Sequence, residues 1–526
     1  MIECIVIGAG PGGLVCTKEL LENGIVNIVC LEQSDRLGGV FAKSYDGLHL
    51  TSSATFSMFS DFWVGDGNDH VFWTKDEVVD YWTRYCEHYG VNNKIRFGAR
   101  VDKVVSSEDQ SWAVHLDSGE VLQTKRLALA AGNNSVPRLP EWKNELEIEY
   151  LHSMNYRNAE AYRGKRVLVV GGGESGSDIA LEISKVAAQT WVSLRESTGW
   201  VVPRLRRGRA ADISTHRGLW DLPREYGARI SSKFLEKERT SGDPILEVVA
   251  ELNSRVRSRN GIWGTFGTKT ISLPEAIAHH GCKVVGDIAQ VREGGRQLVT
   301  ADDQTLKDVD AVVFCTGYIN RLPFLPEEIQ ACDPRSLYKH MFDIDLKDRL
   351  AWIGWARPGF GSQFPIMELQ ARLFGLICAG RHQLPDAAEM ERVACADRHG
   401  YLQQLENNAY RIRSLVDYHR YMDDIARLIG CRPPIKKFFF TNPRIWLHIM
   451  YGPTQATQFR LTGPGAKYEL AKKILFKLPV AGFNHVVKAG LSGRLRYALK
   501  ALIPWGLQNR PNMARLSEWR LNRQRI

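Results

Sequence analysis

The sequence predicts an α/β protein with two dinucleotide-binding (Rossmann-like) domains, the second inserted in the first, followed by a mostly helical C-terminal extension. Two apolar runs each lead through a glycine-rich turn into a helix-like segment. Apolar runs at 127–137 and 311–318 end in small residues, as strands often do where a chain returns to a cofactor domain. We expect the first domain at 1–160 and 321–384, the inserted domain at 161–320 and the extension at 385–526.

The first glycine-rich turn lies in IECIVIGAGPGGLVC, near the start of the chain. Gly8 is expected to form the tight turn, Gly10 to let a pyrophosphate approach the backbone, and Gly13 to let the helix pack closely on the strand. The next β-branched run ends in Glu32, an acid that can accept hydrogen bonds from ribose hydroxyls. This complete strand–turn–helix–strand pattern predicts a site for a flavin dinucleotide.

The second turn, VLVVGGGESGSDIA, repeats the pattern at Gly171, Gly173 and Gly176, with Ser175 inside the turn. Its second strand ends without an acid, and Ser193 and Arg195 stand where the first unit has Glu32. A carboxylate there would repel a 2′-phosphate, whereas a hydroxyl and a guanidinium would bind one. We therefore expect NADPH at the second turn, with electrons passing from it to the flavin.

Composition is that of an ordinary globular protein, with 44% hydrophobic and 24% charged residues. Neither a transmembrane run nor a signal peptide is evident in the sequence. The ten cysteines are scattered without a C-x-x-C pair, which disfavours a disulfide framework, a redox-active pair or a metal site. We expect a cytoplasmic protein, no metal and no nucleic-acid partner.

The net charge of +10 is concentrated at the C-terminus, where residues 481–526 carry nine Lys or Arg and one acid. This basic tail mixes apolar and basic residues near helical spacing. Weak contact with an anionic membrane surface and packing on the protein's own surface remain alternative interpretations. The arginines of PRLRRGR (203–209) likewise either reach the NADPH phosphates or lie on an exposed loop.

Several strings resemble the flavin-containing monooxygenases, in particular their animal-type members, a branch of the class B flavoprotein monooxygenases. The segment EQSDRLGGVF resembles the family's E-x5-G-G-x-W pattern, with Phe41 in place of Trp. GGGESG resembles its NADPH turn, CTGY its A-T-G-Y turn, and GSQFPIMELQAR a late signature. The resemblance covers about residues 1–478 and implies that the cofactors FAD and NADPH are also contacted by Gly39, Val40, Phe41, Thr316, Gly317 and Gln370.

This resemblance implies a monooxygenase that reduces FAD with NADPH, adds molecular oxygen at the flavin C4a atom, and uses the hydroperoxide to oxygenate nitrogen or sulfur of a small amine or sulfide. The alternative is Baeyer–Villiger conversion of a ketone to an ester or lactone. Tyr156 leans towards heteroatom oxygenation, because the Baeyer–Villiger enzymes usually carry Trp there. A flavin disulfide reductase is disfavoured by the missing cysteine pair, and a non-catalytic flavoprotein is a further hypothesis.

The sequence departs from this family in LTSSATFSMFSDF, where Thr51 stands at the position of a family asparagine near the flavin. That asparagine is associated with stabilising the oxygen adduct of the reduced flavin. We expect Thr51 or Ser52 to offer a hydroxyl instead and treat these two residues as the candidate catalytic positions. Since a hydroxyl reaches less far than an amide, a shorter-lived adduct follows.

Overall fold

The computed structural model describes residues 1–65, 71–195, 198–206, 208–221, 225–330 and 333–480. The basic tail at 481–526 and Arg207 of the arginine-rich segment lie outside the described residues. Strands occupy much of the first 360 residues: β1 (Ile2–Ile7), β2 (Ile28–Leu31), β3 (Ile95–Arg96), β4 (Val101–Ser106), β5 (Trp112–Leu116), β6 (Val121–Leu129), β7 (Val136–Pro137), β8 (Glu149–His152), β9 (Arg166–Val170), β10 (Gln189–Ser193), β11 (Trp200–Val201), β12 (Leu205–Arg206), β13 (Arg209–Ala210), β14 (Gly267–Thr268), β15 (Lys283–Val285), β16 (Ile288–Arg292), β17 (Gln297–Thr300), β18 (Thr305–Leu306), β19 (Ala311–Phe314), β20 (Tyr318–Ile319), β21 (Leu350–Trp352), β22 (Arg357–Pro358) and, later, β23 (Leu415–Val416).

Helices follow the glycine-rich turns, fill an insertion in the second domain and dominate the C-terminal part. They are α1 (Pro11–Glu22), α2 (Ala54–Ser57), α3 (Lys75–His88), α4 (Glu174–Ser184), α5 (Arg217–Trp220), α6 (Glu225–Arg239), α7 (Pro244–Ser254), α8 (Ser272–His280), α9 (Glu327–Gln330), α10 (Gln363–Cys378), α11 (Ala387–Leu405), α12 (Asn407–Arg411), α13 (Tyr418–Ile429), α14 (Ile435–Thr441), α15 (Pro443–Tyr451) and α16 (Tyr468–Lys477).

The first sheet has the strand order β3–β2–β1–β6–β5–β4. Strands β1, β2, β3 and β6 run parallel, whereas β4 and β5 form an antiparallel edge. After the inserted domain, β21 returns to pair in parallel with the end of β6. The apolar residues of β1 and of the end of β6 are buried on both faces, as parallel strands covered by helices require.

The second sheet is parallel throughout, with the order β15–β10–β9–β19–β8. Strand β8 joins this sheet although it precedes residue 161, where the sequence places the start of the inserted domain. The helical insertion between β13 and β14 connects this domain to the C-terminal helices. The predicted α/β class is confirmed: one parallel sheet lies inside the sequence of another, and a helical part follows.

Helix α10 is the central element of the first domain, because nearly all of its residues are buried. It contributes to the same apolar core as α1, α3 and α13, and therefore fixes the C-terminal extension to the first dinucleotide unit. Within the described residues, no helix combines the length and apolar character needed to span a bilayer. The cysteines in the described part of the chain are all free thiols, and most are buried.

Candidate active site

The first glycine-rich turn is compact because two of its glycines face backbone atoms. Gly8 has a φ of +104°, and its N–H donates to the Leu31 carbonyl over 2.7 Å. A Cβ atom at position 8 would lie 2.7 Å from the Ala130 carbonyl oxygen, and one at position 13 would lie 1.8 Å from the Gly8 carbonyl oxygen. Only glycine allows this close approach of α1 to β1.

The outer side of the same turn is open. A Cβ atom at Gly10 would meet only the Gly39 Cα atom, at 3.8 Å, and the Gly38 N–H donates to the Ala9 carbonyl over 2.9 Å. Among the described residues, no side chain caps the N-terminus of α1. The N–H groups of a helix N-terminus attract phosphate, so this cradle between two glycine segments fits a dinucleotide pyrophosphate.

Glu32 lies at the end of β2, beside this cradle, and is almost completely buried. Its carboxylate accepts hydrogen bonds from the Ala9 N–H over 2.8 Å and from the Ser34 N–H and hydroxyl over 2.9 and 2.6 Å. These contacts hold the carboxylate at the edge of the glycine turn. This is the position that a ribose-binding acid needs.

The second turn reproduces the geometry of the first. Gly171 has a φ of +108°, and its N–H donates to the Ser193 carbonyl over 3.0 Å. A Cβ atom at position 171 would lie 2.6 Å from the Cys315 carbonyl oxygen, and one at position 176 would lie 1.9 Å from the Gly171 carbonyl oxygen. By contrast, a Cβ atom at Gly173 would have no neighbour within 4 Å in the described part of the chain. A second pyrophosphate fits here.

The two side chains predicted to bind the 2′-phosphate differ in whether the protein already engages them in hydrogen bonds. The Ser193 side chain is buried, and its hydroxyl donates to the Gly286 carbonyl over 2.9 Å. Arg195 is exposed, and its guanidinium has neither a hydrogen bond nor an ion pair with any described residue. Ser175 is exposed in the first turn of α4. Of the two predicted ligands, Arg195 is the one left available for an anion.

The A-T-G-Y-like turn links the two domains. The Thr316 hydroxyl donates to the Arg138 carbonyl, and the Arg138 N–H donates to the Gly317 carbonyl over 2.9 Å. The same carbonyl oxygen lies 3.1 Å from the Nε2 atom of His152. This turn therefore joins the strand β19 of the second sheet to the connection that follows β6 of the first.

Of the two residues that follow Gly39, one is exposed at the surface and the other packs in the core. Val40 is 46% exposed, whereas the Phe41 ring packs edge-on against Trp82, with centroids 5.4 Å apart, and also contacts Phe364. Gln370 is fully buried: its Oε1 accepts from the Gly354 N–H over 2.8 Å, and its Nε2 donates to the Tyr421 hydroxyl over 2.7 Å. Both ends of this amide are therefore occupied by the protein.

The segment containing Thr51 and Ser52 lies against the N-terminus of α10. The Ser52 hydroxyl is 3.1 Å from the Ser57 hydroxyl and 3.3 Å from the hydroxyl of Ser362, which precedes α10. Thr51 is half-buried, and its hydroxyl has no hydrogen-bond partner among the described residues. The structure thus brings Ser52 into a hydroxyl cluster and leaves the Thr51 hydroxyl available.

Sequence reasoning missed Asp212, which holds this segment in place. Its carboxylate accepts the Ser53 N–H over 2.7 Å and the Ser53 hydroxyl over 2.9 Å. Asp212 comes from the helical insertion, 159 residues away along the chain. A single acid in an irregular segment carries no motif, so only the tertiary structure reveals this contact.

Two arginines of 203–209, Arg204 and Arg206, follow neither of the two interpretations. Arg204 forms an ion pair with Asp178 at 3.0 Å, and Arg206 with Glu238 at 3.3 Å. Arg209 is exposed. Two of these guanidinium groups are therefore engaged by carboxylates of the protein, and burial lowers the pKa of Arg206.

A family model described as flavin-binding monooxygenase-like (FMO-like) matches residues 2–481. The chain belongs to this family. A 4-hydroxybenzoate brominase (decarboxylating) from Pseudoalteromonas luteoviolacea (strain 2ta16) is 32% identical to this chain, covering 90% of it and 92% of the relative. Flavin-containing monooxygenase 5 from Rattus norvegicus is 30% identical, covering 89% and 90%.

Among solved structures, S-allyl-L-cysteine S-oxygenase from Allium sativum has a TM-score of 0.58 at 19% identity, covering 84% of this chain and 94% of its own. At that identity the likeness shows the fold alone. The family match and the relatives identify the protein as an oxidoreductase. It is a flavin-dependent monooxygenase that uses FAD and NADPH. The family resemblance predicted from the sequence is thereby confirmed.

Proposed function

We propose that this monooxygenase binds FAD at the first glycine-rich turn and NADPH at the second, and oxygenates nitrogen or sulfur of a small molecule through a C4a-hydroperoxyflavin. Bound FAD would supply the activation of oxygen. The protein's own residues would hold the two dinucleotides, exclude water and present the substrate. Gly8, Gly10, Gly13, Glu32 and Gly39 belong to the first site, and Gly171, Gly173, Ser175, Gly176 and Arg195 to the second.

The observation that carries the proposal is the hydroxyl-rich character of the segment beside α10. Its polar groups are the hydroxyls of Thr51, Ser52, Ser57 and Ser362, and the nearby Asp212 carboxylate is already hydrogen-bonded to Ser53. The Lys269 Nζ atom also lies near this segment and donates to the Gly361 carbonyl. Among the described residues, the acid and the amine next to this segment are therefore both engaged and are not free to act as a general base. A substrate that carries its own lone pair, such as an amine or a sulfide, needs none, whereas a substrate that must first lose a proton does.

The experiment is anaerobic reduction of the flavin by NADPH, followed by rapid mixing with oxygen and product analysis. Separate reactions would contain an alkyl aryl sulfide, a tertiary amine and a cyclic ketone. A sulfoxide or N-oxide supports the proposal. A lactone with no heteroatom oxidation would instead establish Baeyer–Villiger chemistry. A flavin that NADPH leaves oxidised would point to a non-catalytic flavoprotein.

Bromination is a second candidate function, favoured by the relative named as a 4-hydroxybenzoate brominase (decarboxylating). In that case bromide, not an amine or sulfide, would receive the oxygen atom, and the resulting electrophilic bromine would attack an electron-rich phenol. The test adds sodium bromide and 4-hydroxybenzoate to the same reaction. Bromophenol formation in the absence of sulfide oxidation would replace heteroatom oxygenation as the function.

The basic tail supports a proposal about location: a cytoplasmic protein that contacts anionic membrane surfaces weakly through residues 481–526. Its eight excess positive charges are the basis for this proposal. Co-sedimentation with vesicles containing phosphatidylserine should be weak and abolished by high salt. Equal binding to purely zwitterionic vesicles would contradict it.

A further inference from the structure

Helix α4, which begins at the second glycine-rich turn, presents two acids one helical turn apart to the first domain. Asp178 is buried, with 8% of its surface exposed. Its two carboxylate oxygens accept four side-chain hydrogen bonds from other segments of the chain: from Tyr45 OH (3.2 Å), Arg204 Nη2 (3.0 Å), Thr270 Oγ1 (2.8 Å) and Ser272 Oγ (2.6 Å).

These four donors come from three separate parts of the molecule. Tyr45 belongs to the first domain, Arg204 to the segment just before β12, and Thr270 and Ser272 to the stretch that leads from β14 into the first residue of α8. Residues 45–49 lead directly into the segment 51–53 that Asp212 holds against α10. One carboxylate on the NADPH-binding helix is therefore joined to the chain that leads into the flavin-site segment.

The second acid, Glu182, reinforces this junction. Its carboxylate accepts the Tyr156 hydroxyl over 2.8 Å, and the Tyr156 ring lies edge-on to the Tyr45 ring with centroids 6.1 Å apart. A Cβ atom at Gly47 would lie 2.1 Å from the Glu182 Oε1 atom, so the helix lies directly against residues 45–49. Helix α4 and its partner Tyr156 thus pack closely against Tyr45 and against the residues that follow it.

Burial and the neighbouring Asp178 carboxylate raise the pKa of Tyr45, so its hydroxyl is kept as a donor. Hydrogen bonds to a carboxylate in a buried site are stronger than neutral ones and fix the distance and angle of their donors. Removal of the carboxylate would leave its buried donors unsatisfied, whereas removal of a single donor would weaken the arrangement only in part. Among the described residues, the Asp178 carboxylate accepts its side-chain hydrogen bonds from outside both glycine-rich turns, so it acts on the cofactor sites through the segments that it holds.

We propose that Asp178, supported by Glu182, is a positioning residue that sets the NADPH turn against the flavin-site segment for reduction of the flavin. This proposal rests on the use of FAD and NADPH by this family and not on the identity of the substrate. Two-electron reduction of the flavin converts NADPH to NADP⁺ before any substrate is oxygenated. Its rate can therefore be measured without a substrate.

The test compares Asp178→Asn with wild-type holoenzyme by anaerobic stopped-flow. Asparagine has the same shape, but it loses the charge that Arg204 needs and turns one acceptor into a donor facing other donors. We expect the NADPH dissociation constant to change by less than about threefold, and the limiting rate of flavin reduction to fall about 10- to 100-fold, the effect of a small misplacement of reactants. Deuterium exchange in residues 45–53 should also become faster.

Glu238→Gln is the matched control, because Glu238 is a buried acid of the helical insertion that forms an ion pair with Arg206. It should lower the melting temperature without changing the rate of flavin reduction. Tyr45→Phe removes one of the four donors and should give an intermediate rate. If Asp178→Asn fails to fold, the rate of flavin reduction in Tyr45→Phe tests the proposal instead. In the double variant Asp178→Asn/Tyr45→Phe, the two increases in the activation free energy of flavin reduction should be less than additive.

The proposal is overturned if Asp178→Asn and Tyr45→Phe reduce flavin at the wild-type rate, or if Glu238→Gln slows reduction as much as Asp178→Asn does. A change in the NADPH dissociation constant alone would make Asp178 a contributor to binding, not to positioning. The failure of sulfide or amine oxygenation would leave the reduction result unaffected. The two proposals can thus fail separately.

Discussion

The Arg460 Nη2 atom lies 2.6 Å from the Glu19 Oε1 atom, although 441 residues separate them along the chain. The guanidinium also donates to Glu368 over 3.0 Å and to the Ser60 hydroxyl over 2.8 Å. All four residues are buried. This cluster joins α1, the segment after α2, α10 and the chain that follows α15, and so ties the C-terminal extension to the first dinucleotide unit.

Arg460→Met should destabilise the protein by about 3–5 kcal/mol, because it removes the cation paired with the buried Glu368 and one of the two cations paired with the buried Glu19. Urea unfolding measures the loss. The matched control is Arg392→Met, which breaks an exposed ion pair with Glu389 and should cost no more than about 1 kcal/mol. Equal losses in both variants would mean that the buried cluster contributes no more than a surface pair.

The same cluster predicts a pH dependence of stability. Burial alone would raise the pKa of Asp61, but the charges of Arg460 and Lys18 outweigh it and hold the pKa below its usual range; Glu19 behaves likewise. A carboxyl whose pKa is lower in the folded state stabilises the fold above its unfolded pKa. That stability is lost as the pH falls below about 4.

The free energy of unfolding should therefore fall steeply in acid for the wild type and less steeply for Arg460→Met, which has lost part of this contribution. Unfolding in urea at several pH values between neutral and about 3 measures the two slopes. Identical slopes would show that Arg460 does not contribute to the lowered pKa values of these carboxylates. The Lys18 ammonium donates to the carboxylates of Glu19, Glu22 and Asp61. Arg460→Met therefore retains the part of the pH dependence that Lys18 causes.

Arg195→Ala should weaken NADPH binding by about 1.5–3 kcal/mol, the range for a hydrogen bond to a charged group. Binding of NADH should hardly change, since it lacks the 2′-phosphate. Titration calorimetry with both nucleotides gives the comparison. Arg292→Ala is the control, as Arg292 is an exposed arginine in the antiparallel strand β16. Equal losses for NADPH and NADH would remove Arg195 from the 2′-phosphate site.

Gly10→Val and Gly173→Val should fail in different ways. Both positions have negative φ and open surroundings, so valine leaves the fold intact but occupies the space of a pyrophosphate. Gly10→Val should yield colourless protein, and Gly173→Val yellow protein that NADPH reduces poorly. Visible absorbance and the reduction rate are the measurements. Loss of flavin only in Gly173→Val would reverse the assignment of the two sites.

Thr51→Asn should lower the release of hydrogen peroxide in the absence of substrate, and Thr51→Val should raise it. A hydrogen bond between neutral groups contributes about 0.5–1.5 kcal/mol, and each 1.36 kcal/mol changes a rate tenfold. The change in leak should therefore be at most about tenfold. A peroxidase-coupled assay measures this release, with Thr240→Val, at the exposed position just after α6, as control. No change in either Thr51 variant would place Thr51 away from the flavin.

The sequence predicted the features that repeat a local pattern. Both glycine-rich turns form as expected, because Gly13 and Gly176 face carbonyl oxygens within their own turns, and such short-range geometry depends on neighbouring residues. The return of β21 to the first sheet followed from the inserted arrangement. The two turns follow from local steric rules.

Contacts between distant segments were not predictable from the pattern. Asp178 lies inside a recognised motif, yet its four donors come from segments that only the folded chain brings together. Asp212 and Arg460 carry no motif at all. Gln370 lies in a predicted signature, and the structure gives both ends of its amide to Gly354 and Tyr421. Such partners depend on tertiary packing, which residue spacing does not encode.

The pairing of β6 with β21 also sets an order for synthesis on the ribosome. Residues 127–129 emerge early but must wait for residues 350–352 before that side of the sheet is covered. The inserted parallel sheet is complete once β19 ends at Phe314. Because domains generally fold as units during translation, the inserted domain can fold while the first domain still exposes an unpaired strand. A chaperone that binds nascent chains would therefore find its target in the first domain, although that domain is made first.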